Sequence, residues 1–300
     1  MKIVITGATG LVGKKVIEKL DENGMEAVAL TRHRDLSGPY IATDYRVDSL
    51  REIFSEANAV IHLAAIRKGE KNDYSSYQKN ENLTENVLKA MAKTEKCKHI
   101  IYLSSISVYS DILLLPWSEA AIPQPESYYG LSKLTCEYLC ELYNNSNGIH
   151  YTIFRCAHIL GIEDKGYMLS KFMANAYGHL PLCVQGKSMA KREFIYVKDV
   201  ANAIVWALKS NRAKDEIFNL GYGTGYTNYQ IATIINRAFG NEGKLDYLSE
   251  QDEKISSSYM NVNKIIQAGF HPEYTVEDAM FEIYGEYKEL HDKKRDERHV

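Results

Sequence analysis

The chain has 300 residues, of which 45% are hydrophobic and 25% charged. This composition describes a globular protein with one large domain, or one domain and a smaller lobe, and excludes a disordered chain. A net charge of −3 gives no overall attraction to polyphosphates, and no apolar run approaches the ~18 residues of a membrane span. We therefore expect a small-molecule partner, with no nucleic acid and no membrane.

The cysteine content indicates whether the protein works in a reducing or an oxidising compartment. They number five, at positions 97, 136, 140, 156 and 183, and none forms a CxxC pair. An odd number without such pairs argues against a disulfide framework and against a zinc site. We expect a reducing, cytoplasmic compartment and no bound metal.

The first half of the chain alternates between strands and helices. Residues 2–6 (KIVIT) are a β-branched run that ends at glycine, and residues 11–20 carry apolar side chains at helical spacing. The pattern continues with strands at 26–31, 59–63, 99–103 and 151–154 and helices near 48–56, 77–94 and 128–146. Such alternation predicts an α/β fold with a doubly wound parallel sheet.

Beyond residue 160 the alternation loosens. Residues 161–191 are a mixture of loop and helix, 197–209 a helix, 216–220 a strand, and 227–290 a smaller lobe. We expect one domain formed by 1–160 plus about 192–222, and a smaller mixed α/β C-terminal lobe formed by 161–191 plus 223–300. No linker separates them, so we expect one compact body.

Three glycines follow the first predicted strand. Gly7, Gly10 and Gly13 in TGATGLVG lie where the strand passes into a helix. Glycines there permit a tight turn and close approach of the backbone to a pyrophosphate, which the helix N-terminus attracts. The first domain is therefore predicted to bind a dinucleotide.

The end of the second strand bears on the choice of dinucleotide. In such folds an acidic residue at this point binds the ribose hydroxyls and favours NAD, but here Arg32 and Arg34 follow the strand. An arginine can bind a 2′-phosphate, so NADP is the preferred cofactor and NAD the alternative. Both arginines also fit as plain surface charges.

A second group of residues suits proton transfer. Tyr129 and Lys133 are four apart on a predicted helix, so they share one face. A nearby ammonium lowers the pKa of a phenol, and Ser105, after the strand at 99–103, can hydrogen-bond a substrate oxygen. These three residues are the candidate catalytic group.

The motifs, taken together, resemble one family. They are TGATGLVG at 6–13, Asp44-Tyr45, HLAA at 62–65, Asn80, SSISVY at 104–109, YYGLSK at 128–133, Arg155 with ILG at 159–161, REFIYVKDVA at 192–201 and FNLG at 218–221. This series resembles the extended short-chain dehydrogenases/reductases, the NAD(P)-dependent epimerase/dehydratase family, in its sugar-nucleotide branch.

The resemblance implies a Rossmann fold, a dinucleotide-binding domain, a substrate-binding lobe and a set of contacts. It implies catalysis by Ser105, Tyr129 and Lys133, and substrate contacts from Ser105, Ser107, His158 and Arg192. Arg192 would pair with a substrate diphosphate, or else form a salt bridge between the domains. Cofactor contacts are implied for Gly7, Thr9, Gly10, Leu11, Val12, Gly13, Arg32, Asp44, Tyr45, Leu63, Ala64, Ala65, Asn80, Ser104, Tyr129, Lys133, Cys156 and His158.

The chain also departs from the family pattern. Ile106 and Ser107 stand where sugar dehydratases have an Asp-Glu pair, so dehydration is disfavoured. Cys156 and His158 replace a common Pro and Asn. The glycine-rich GxGxxxR run becomes GKSMAKR at 186–192, and a second diphosphate-binding arginine is absent at 252–258.

Three functions remain open. The first is a nucleotide-sugar 4-epimerase, and the second is an NADPH-dependent ketoreductase or dehydrogenase of a sugar nucleotide or small carbonyl compound. The third is a dinucleotide-sensing regulator without turnover, which retention of the catalytic group disfavours.

The resemblance further implies a homodimer formed by the helices at 80–94 and 128–144. Leu83, Val87, Leu134 and Tyr138 are apolar residues for its exposed face, although they equally suit a core.

Overall fold

The structure is a computed structural model that describes residues 1–33, 38–66, 73–162, 168–186, 188–248 and 256–296. Its first half contains β1 (Lys2–Thr6), α1 (Leu11–Glu22), β2 (Glu26–Thr31), β3 (Tyr40–Ala42), α2 (Val47–Phe54), β4 (Ala59–His62), α3 (Tyr74–Ala92), β5 (His99–Ser105), α4 (Tyr128–Asn147) and β6 (His150–Cys156). Its second half contains β7 (His158–Leu160), α5 (Met168–Tyr177), β8 (Leu182–Gln185), β9 (Lys191–Tyr196), α6 (Val197–Lys209), β10 (Glu216–Leu220), β11 (Gly225–Thr227), α7 (Asn228–Ala238), β12 (Leu245–Leu248), α8 (Asn263–Ala268) and α9 (Val276–Asp296).

Seven strands form the main sheet, in the order β10-β6-β5-β4-β1-β2-β3. Every pairing in it is parallel, as in the alignment of Val4 with Val60 and of Ser105 with Cys156. This confirms the predicted doubly wound sheet. The carboxyl ends of β1, β4, β5 and β6 therefore meet at one edge, where ligands bind in such folds.

Two smaller sheets lie in the second half of the chain. β9 pairs with β7 in parallel and with β11 in antiparallel orientation, and β8 pairs with β12. The sequence pattern did not predict these strands. Each of them except β9 has only three or four residues, too few for a two-residue period to show.

The core lies on both faces of the main sheet. Ile3 and Ile5 of β1 face one apolar cluster, whereas Val4 between them faces the other. The first cluster continues into the C-terminal helices through Ile235 and Met280. Both predicted units thus share one core.

Helices α3 and α4 pack together, and this corrects one expectation. Leu83 and Val87 are buried in the core and do not lie on an exposed face. Leu134 is half-buried, and Tyr138 is exposed. In the described part of the chain, helices long and apolar enough to cross a membrane are absent.

Candidate active site

The glycine loop packs tightly against the end of β4. Gly7 has a φ of +70°, and a Cβ there would lie 2.7 Å from the backbone nitrogen of Ala64. A Cβ on Gly13 would lie 2.4 Å from the carbonyl oxygen of Gly7. α1 begins after Gly10 without a side-chain cap from a described residue, so its first N–H groups are available to an anion. The loop fits the pyrophosphate of a dinucleotide.

Thr9 is half-buried in the same loop, and Val12 is buried in α1. The methyl groups of Leu11 lie against Gly161, where a Cβ would approach them to 2.7 Å. The short segment after β7 therefore packs directly on the start of α1, which explains a glycine at position 161.

A buried polar chain supports the end of β4. The Ala64 N–H donates to Thr6 Oγ1 at 3.2 Å, and Thr6 Oγ1 lies 2.7 Å from His62 Nδ1. His62 Nε2 lies 3.0 Å from Thr84 Oγ1, which in turn donates to the carbonyl of Asn80. Burial lowers the pKa of His62 to about 3. The ring is neutral, and it accepts at Nδ1 and donates at Nε2.

Asn80 holds the next part of this segment. Its Oδ1 accepts from the Ile66 N–H at 2.7 Å, and its amide nitrogen donates back to the Ile66 carbonyl at 3.2 Å. Leu63, Ala64 and Ala65, which lie between His62 and Ile66 in the sequence, are half-buried. These contacts fix the wall of the predicted cofactor trough.

At the tip of β2, the Arg32 guanidinium carbon lies 5.7 Å from the centroid of the buried Tyr45 ring. The exposed Asp44 accepts from the Arg46 N–H at 2.9 Å, which lowers the pKa of its carboxyl. Arg34 lies outside the described residues. A groove of about 640 Å³ is lined here by Arg32, Ile41, Ala42, Thr43, Asp44, Ser49, Glu52 and Ile53.

Tyr129 and Lys133 lie in the first two turns of α4, beside the end of β5. Lys133 is buried, and its Nζ donates to the carbonyl oxygen of Leu103 at 2.7 Å. The same nitrogen lies 5.9 Å from the centroid of the half-buried Tyr129 ring. Ser105 ends β5, and its Oγ accepts from the Ser107 N–H at 3.1 Å. The predicted catalytic residues thus converge at one edge of the sheet.

Burial governs the charge of Lys133. Desolvation lowers the pKa of its ammonium to about 8, and Cys136, Glu137 and Cys156 act in the opposite direction. An ammonium of this pKa is present at neutral pH and can favour ionisation of a neighbouring phenol.

Gly130 determines how closely α4 approaches β5, and the sequence analysis did not identify it. A Cβ at this position would lie 2.1 Å from the carbonyl oxygen of Ser107, in the 3₁₀ turn at Ile106–Val108. The sequence did contain an indication of this role. Gly130 follows Tyr129 in the first turn of a predicted helix, where glycine is unfavourable unless close packing requires it.

A second missed residue is Glu137, four residues after Lys133. It accepts from the Ser104 hydroxyl and from Arg155, whose Nη2 lies 2.7 Å from Glu137 Oε2. Arg155 also donates to the hydroxyl of Tyr109, which donates to Asn219. Ser104, predicted as a cofactor contact, therefore has its hydroxyl in this buried network.

Two of the predicted substrate residues, His158 and Arg192, lie on β7 and β9. His158 is exposed, and its Nδ1 is 3.2 Å from the Glu193 carbonyl oxygen, so Nδ1 carries the proton. Arg192 is exposed, and among the described residues no carboxylate lies within ion-pair distance of it. Cys156 is buried, which raises the pKa of its thiol. Ser107 is half-buried in the 3₁₀ turn.

The neighbouring Glu193 is fully buried and was also missed. It accepts from the Gly223 N–H at 2.6 Å and from the Met260 N–H at 2.7 Å. Burial raises the pKa of its carboxyl to about 7, against the lowering effect of these donors. Glu193 thereby joins β9 to two segments of the C-terminal lobe. Residues 252–255, part of the segment that lacks the second arginine, lie outside the described residues.

The parallel sheet and the glycine loop together define a fold that binds a dinucleotide. Residues 3–221 match the model of the NAD dependent epimerase/dehydratase family. The chain belongs to this family, which confirms the resemblance found in the sequence.

Individual relatives and solved structures align with most of this chain. A putative UDP-glucose 4-epimerase of Methanocaldococcus jannaschii is 29% identical over 93% of this chain and 95% of its own. A GDP-6-deoxy-D-talose 4-dehydrogenase of Aggregatibacter actinomycetemcomitans is 28% identical over 78% and 79%. A solved UDP-N-acetylglucosamine 4-epimerase from Bacillus cereus superposes with a TM-score of 0.87 and 36% identity over 95% of both chains.

Proposed function

We propose that this chain is a nucleotide-sugar 4-epimerase that acts on a UDP-linked hexose. The observation that carries the proposal is the buried Lys133 ammonium, which is held by the Leu103 carbonyl beside the Tyr129 ring at the end of β5. The 36% identity with a UDP-N-acetylglucosamine 4-epimerase over nearly the whole chain supports the substrate class.

In this mechanism Tyr129 acts as general base and then as general acid. Its phenolate takes the proton of the sugar C4 hydroxyl, and it returns that proton after the keto-sugar has rotated to present its other face. The ammonium of Lys133 stabilises the phenolate, and the Ser105 hydroxyl hydrogen-bonds the C4 oxygen in both states. The bound nicotinamide supplies the acceptor and donor of the C4 hydride.

The remaining predicted residues are proposed to hold the ligands. The glycine loop and the start of α1 would bind the pyrophosphate, and Leu63, Ala64 and Ala65 would line the trough that Asn80 supports. Arg192 would pair with the substrate diphosphate, because its exposed guanidinium can bind two oxygens at once. His158 and Ser107 would contact the sugar.

A net reductase or dehydrogenase is the second candidate, and Arg32 favours it. An arginine at the tip of β2, where an acidic residue would bind ribose hydroxyls, suits a 2′-phosphate, and NADPH suits net reduction. The 28% identity with a 4-dehydrogenase is in line with this alternative. Arg32→Ala should raise the KM for NADPH but not for NADH, whereas a wild-type preference for NADH would contradict NADP specificity.

The deciding experiment incubates the purified protein and NAD with UDP-N-acetylglucosamine and follows the sugar by proton NMR. We expect the C4 epimer to form with no net change in reduced-nicotinamide absorbance. A net change in that absorbance with a keto-sugar nucleotide would favour the reductase, and cofactor binding without either activity would favour the regulator.

Tyr129→Phe tests the catalytic role directly. We expect turnover to fall by at least about 100-fold while NAD binding persists. Tyr143→Phe, near the far end of the same helix, is the matched control and should retain turnover. Full activity of Tyr129→Phe would contradict the mechanism.

A homodimer through α3 and α4 is also proposed. Leu131, Tyr138 and Leu142 are exposed on one side of α4, and such an apolar stripe suits a symmetric helix contact. Light scattering should give twice the chain mass of 34.1 kDa. A monomeric mass at micromolar concentration would contradict it.

A further inference from the structure

Tyr102 lies beneath the candidate active site, on β5. Its side chain is almost fully buried, and its ring contacts side chains from two neighbouring elements. The His62 ring stacks on it with centroids 5.7 Å apart and planes at 29°. Lys133 Nζ lies 4.8 Å from the ring centroid.

The distance to Lys133 is within the range of a cation–π contact, in which an ammonium is attracted to the negative face of an aromatic ring. Nζ is closer to the Tyr102 centroid, at 4.8 Å, than to the Tyr129 centroid, at 5.9 Å. Nζ also donates a hydrogen bond to the carbonyl oxygen of Leu103, the residue next to Tyr102. One short stretch of β5 therefore contacts the ammonium twice.

We propose that Tyr102 is a positioning residue for Lys133, whose ring face stabilises the buried ammonium and holds it beside Tyr129. This inference rests on the proposed function, because it concerns a charge that matters only if Tyr129 transfers a proton. Tyr102 acts through Lys133 and does not itself touch the substrate.

The charges around Lys133 agree with this role. Tyr129, Cys136 and Glu137 face it from α4, and Cys156 faces it from β6. His62 on β4 is neutral, because burial lowers its pKa to about 3. Burial raises the pKa of Tyr102 well above its usual value, so its phenol stays uncharged. The ring therefore acts through its π face and not as an anion.

Two substitutions separate the π face from the hydroxyl. Tyr102→Phe keeps the face, whereas Tyr102→Leu removes it and leaves an apolar side chain. Phe54→Leu removes another fully buried ring from the same core cluster, on α2, and is the control for general loss of packing. The pH dependence of kcat/KM for epimerisation is measured for all three and for the wild type.

We expect the alkaline limb of the Tyr102→Leu profile to move to lower pH by about one unit, which corresponds to a typical cation–π contact. The Tyr102→Phe and Phe54→Leu limbs should stay at the wild-type pH, even though Phe54→Leu lowers stability. A Tyr102→Leu limb at the wild-type pH, or an equal shift in Phe54→Leu, would overturn the proposal.

A measurement without turnover separates this proposal from the proposed function. The tyrosinate absorbance of each protein is titrated with and without Tyr129→Phe, and the difference gives the pKa of Tyr129. Tyr102→Leu should raise that pKa relative to Tyr102→Phe. A shift here in a protein inactive on nucleotide sugars would retain the role of Tyr102 and refute only the epimerase assignment, whereas no shift would refute the role of Tyr102.

Discussion

Glu137 accepts three hydrogen bonds from the Arg155 guanidinium, at 3.3, 3.1 and 2.7 Å, where the two side chains are only 2% and 4% exposed. Removing one partner of a buried ion pair leaves the other charge without compensation. We predict that Glu137→Ala lowers the free energy of unfolding by about 3–5 kcal/mol. Glu85→Ala, which breaks the exposed Lys89–Glu85 pair, should change it by less than about 1 kcal/mol. Urea denaturation compares them, and equal effects would contradict the prediction.

Gly130 offers a test of the approach between α4 and β5. Alanine there would force α4 away from the Ser107 carbonyl, which a Cβ would meet at 2.1 Å, and would move Tyr129 and Lys133 with it. We predict a fall in kcat/KM of about 100-fold, as small misplacements of catalytic groups produce. The control is Gly285→Ala in α9, where a Cβ meets nothing within 4 Å; that variant should retain activity. Wild-type activity of Gly130→Ala would show that the helix can shift without consequence.

The pKa of Lys133 predicts an alkaline limit on activity. Since burial lowers that pKa to about 8, the ammonium is present below this pH and lost above it. We predict that kcat/KM falls above about pH 8 by about tenfold per unit. Lys133→Arg keeps its charge at every pH in this range, so its residual activity should not show this fall. A wild-type profile that stays flat to about pH 10 would refute the assignment.

The raised pKa of Glu193 predicts a pH effect on stability. Its pKa is raised to about 7 in the folded protein, from an ordinary value of 4.5, so the folded state binds the proton more tightly than the unfolded state. The associated stabilisation is complete below about pH 4.5 and is lost as the pH rises through about 7. The difference in unfolding free energy between wild type and Glu193→Gln should therefore be larger at pH 5 than at pH 8. A difference independent of pH would contradict the raised pKa.

A substitution of Thr84 can test the buried hydrogen-bonded series that runs from Ala64 through Thr6 and His62 to Thr84. Thr84→Val keeps the shape of the side chain but removes the acceptor for His62 Nε2, and a buried unsatisfied donor costs about 1–3 kcal/mol. We also expect weaker NAD binding by calorimetry, because His62 and Thr6 hold the Ala64 N–H. Thr233→Val on the exposed face of α7 removes a similar local hydrogen bond and should change neither quantity. Unchanged stability of Thr84→Val would mean that the hydrogen bond between His62 and Thr84 does not contribute to the stability of the fold.

Much of the fold could be predicted from local sequence patterns. The strand at Glu216–Leu220 and the helix at Val197–Lys209 have the bounds expected from sequence, because their apolar runs end at polar residues and turns. β7, β8 and β12 are short, and their partners are distant in sequence. Tertiary pairing, which no local pattern encodes, creates them.

In the candidate site, too, some residues could be predicted from local patterns, whereas others are brought together only by tertiary packing. Tyr129 and Lys133 could be paired from their spacing on one helix, and Gly7 from its place after a strand. Glu137 and Arg155 come from a helix and a strand 18 residues apart, and both are charged residues that ordinarily remain exposed. Only the packing of α4 against β5 and β6 buries them together. An apolar helix stripe suits a core and a subunit contact equally, so the sequence left both roles open for Leu83 and Val87, and the structure places them in the core.

The segment at 258–261 determines how the chain can be divided. The Met260 N–H binds Glu193, the Asn261 N–H binds the Trp117 carbonyl, and the Asn261 carbonyl accepts from Asn219. A protein cut after residue 222 would keep every residue of the main sheet, yet its buried carboxylate and amide would lose these partners. The dinucleotide-binding part is thus not expected to survive as a separate fragment, and an insertion or fusion between the two parts would be tolerated poorly.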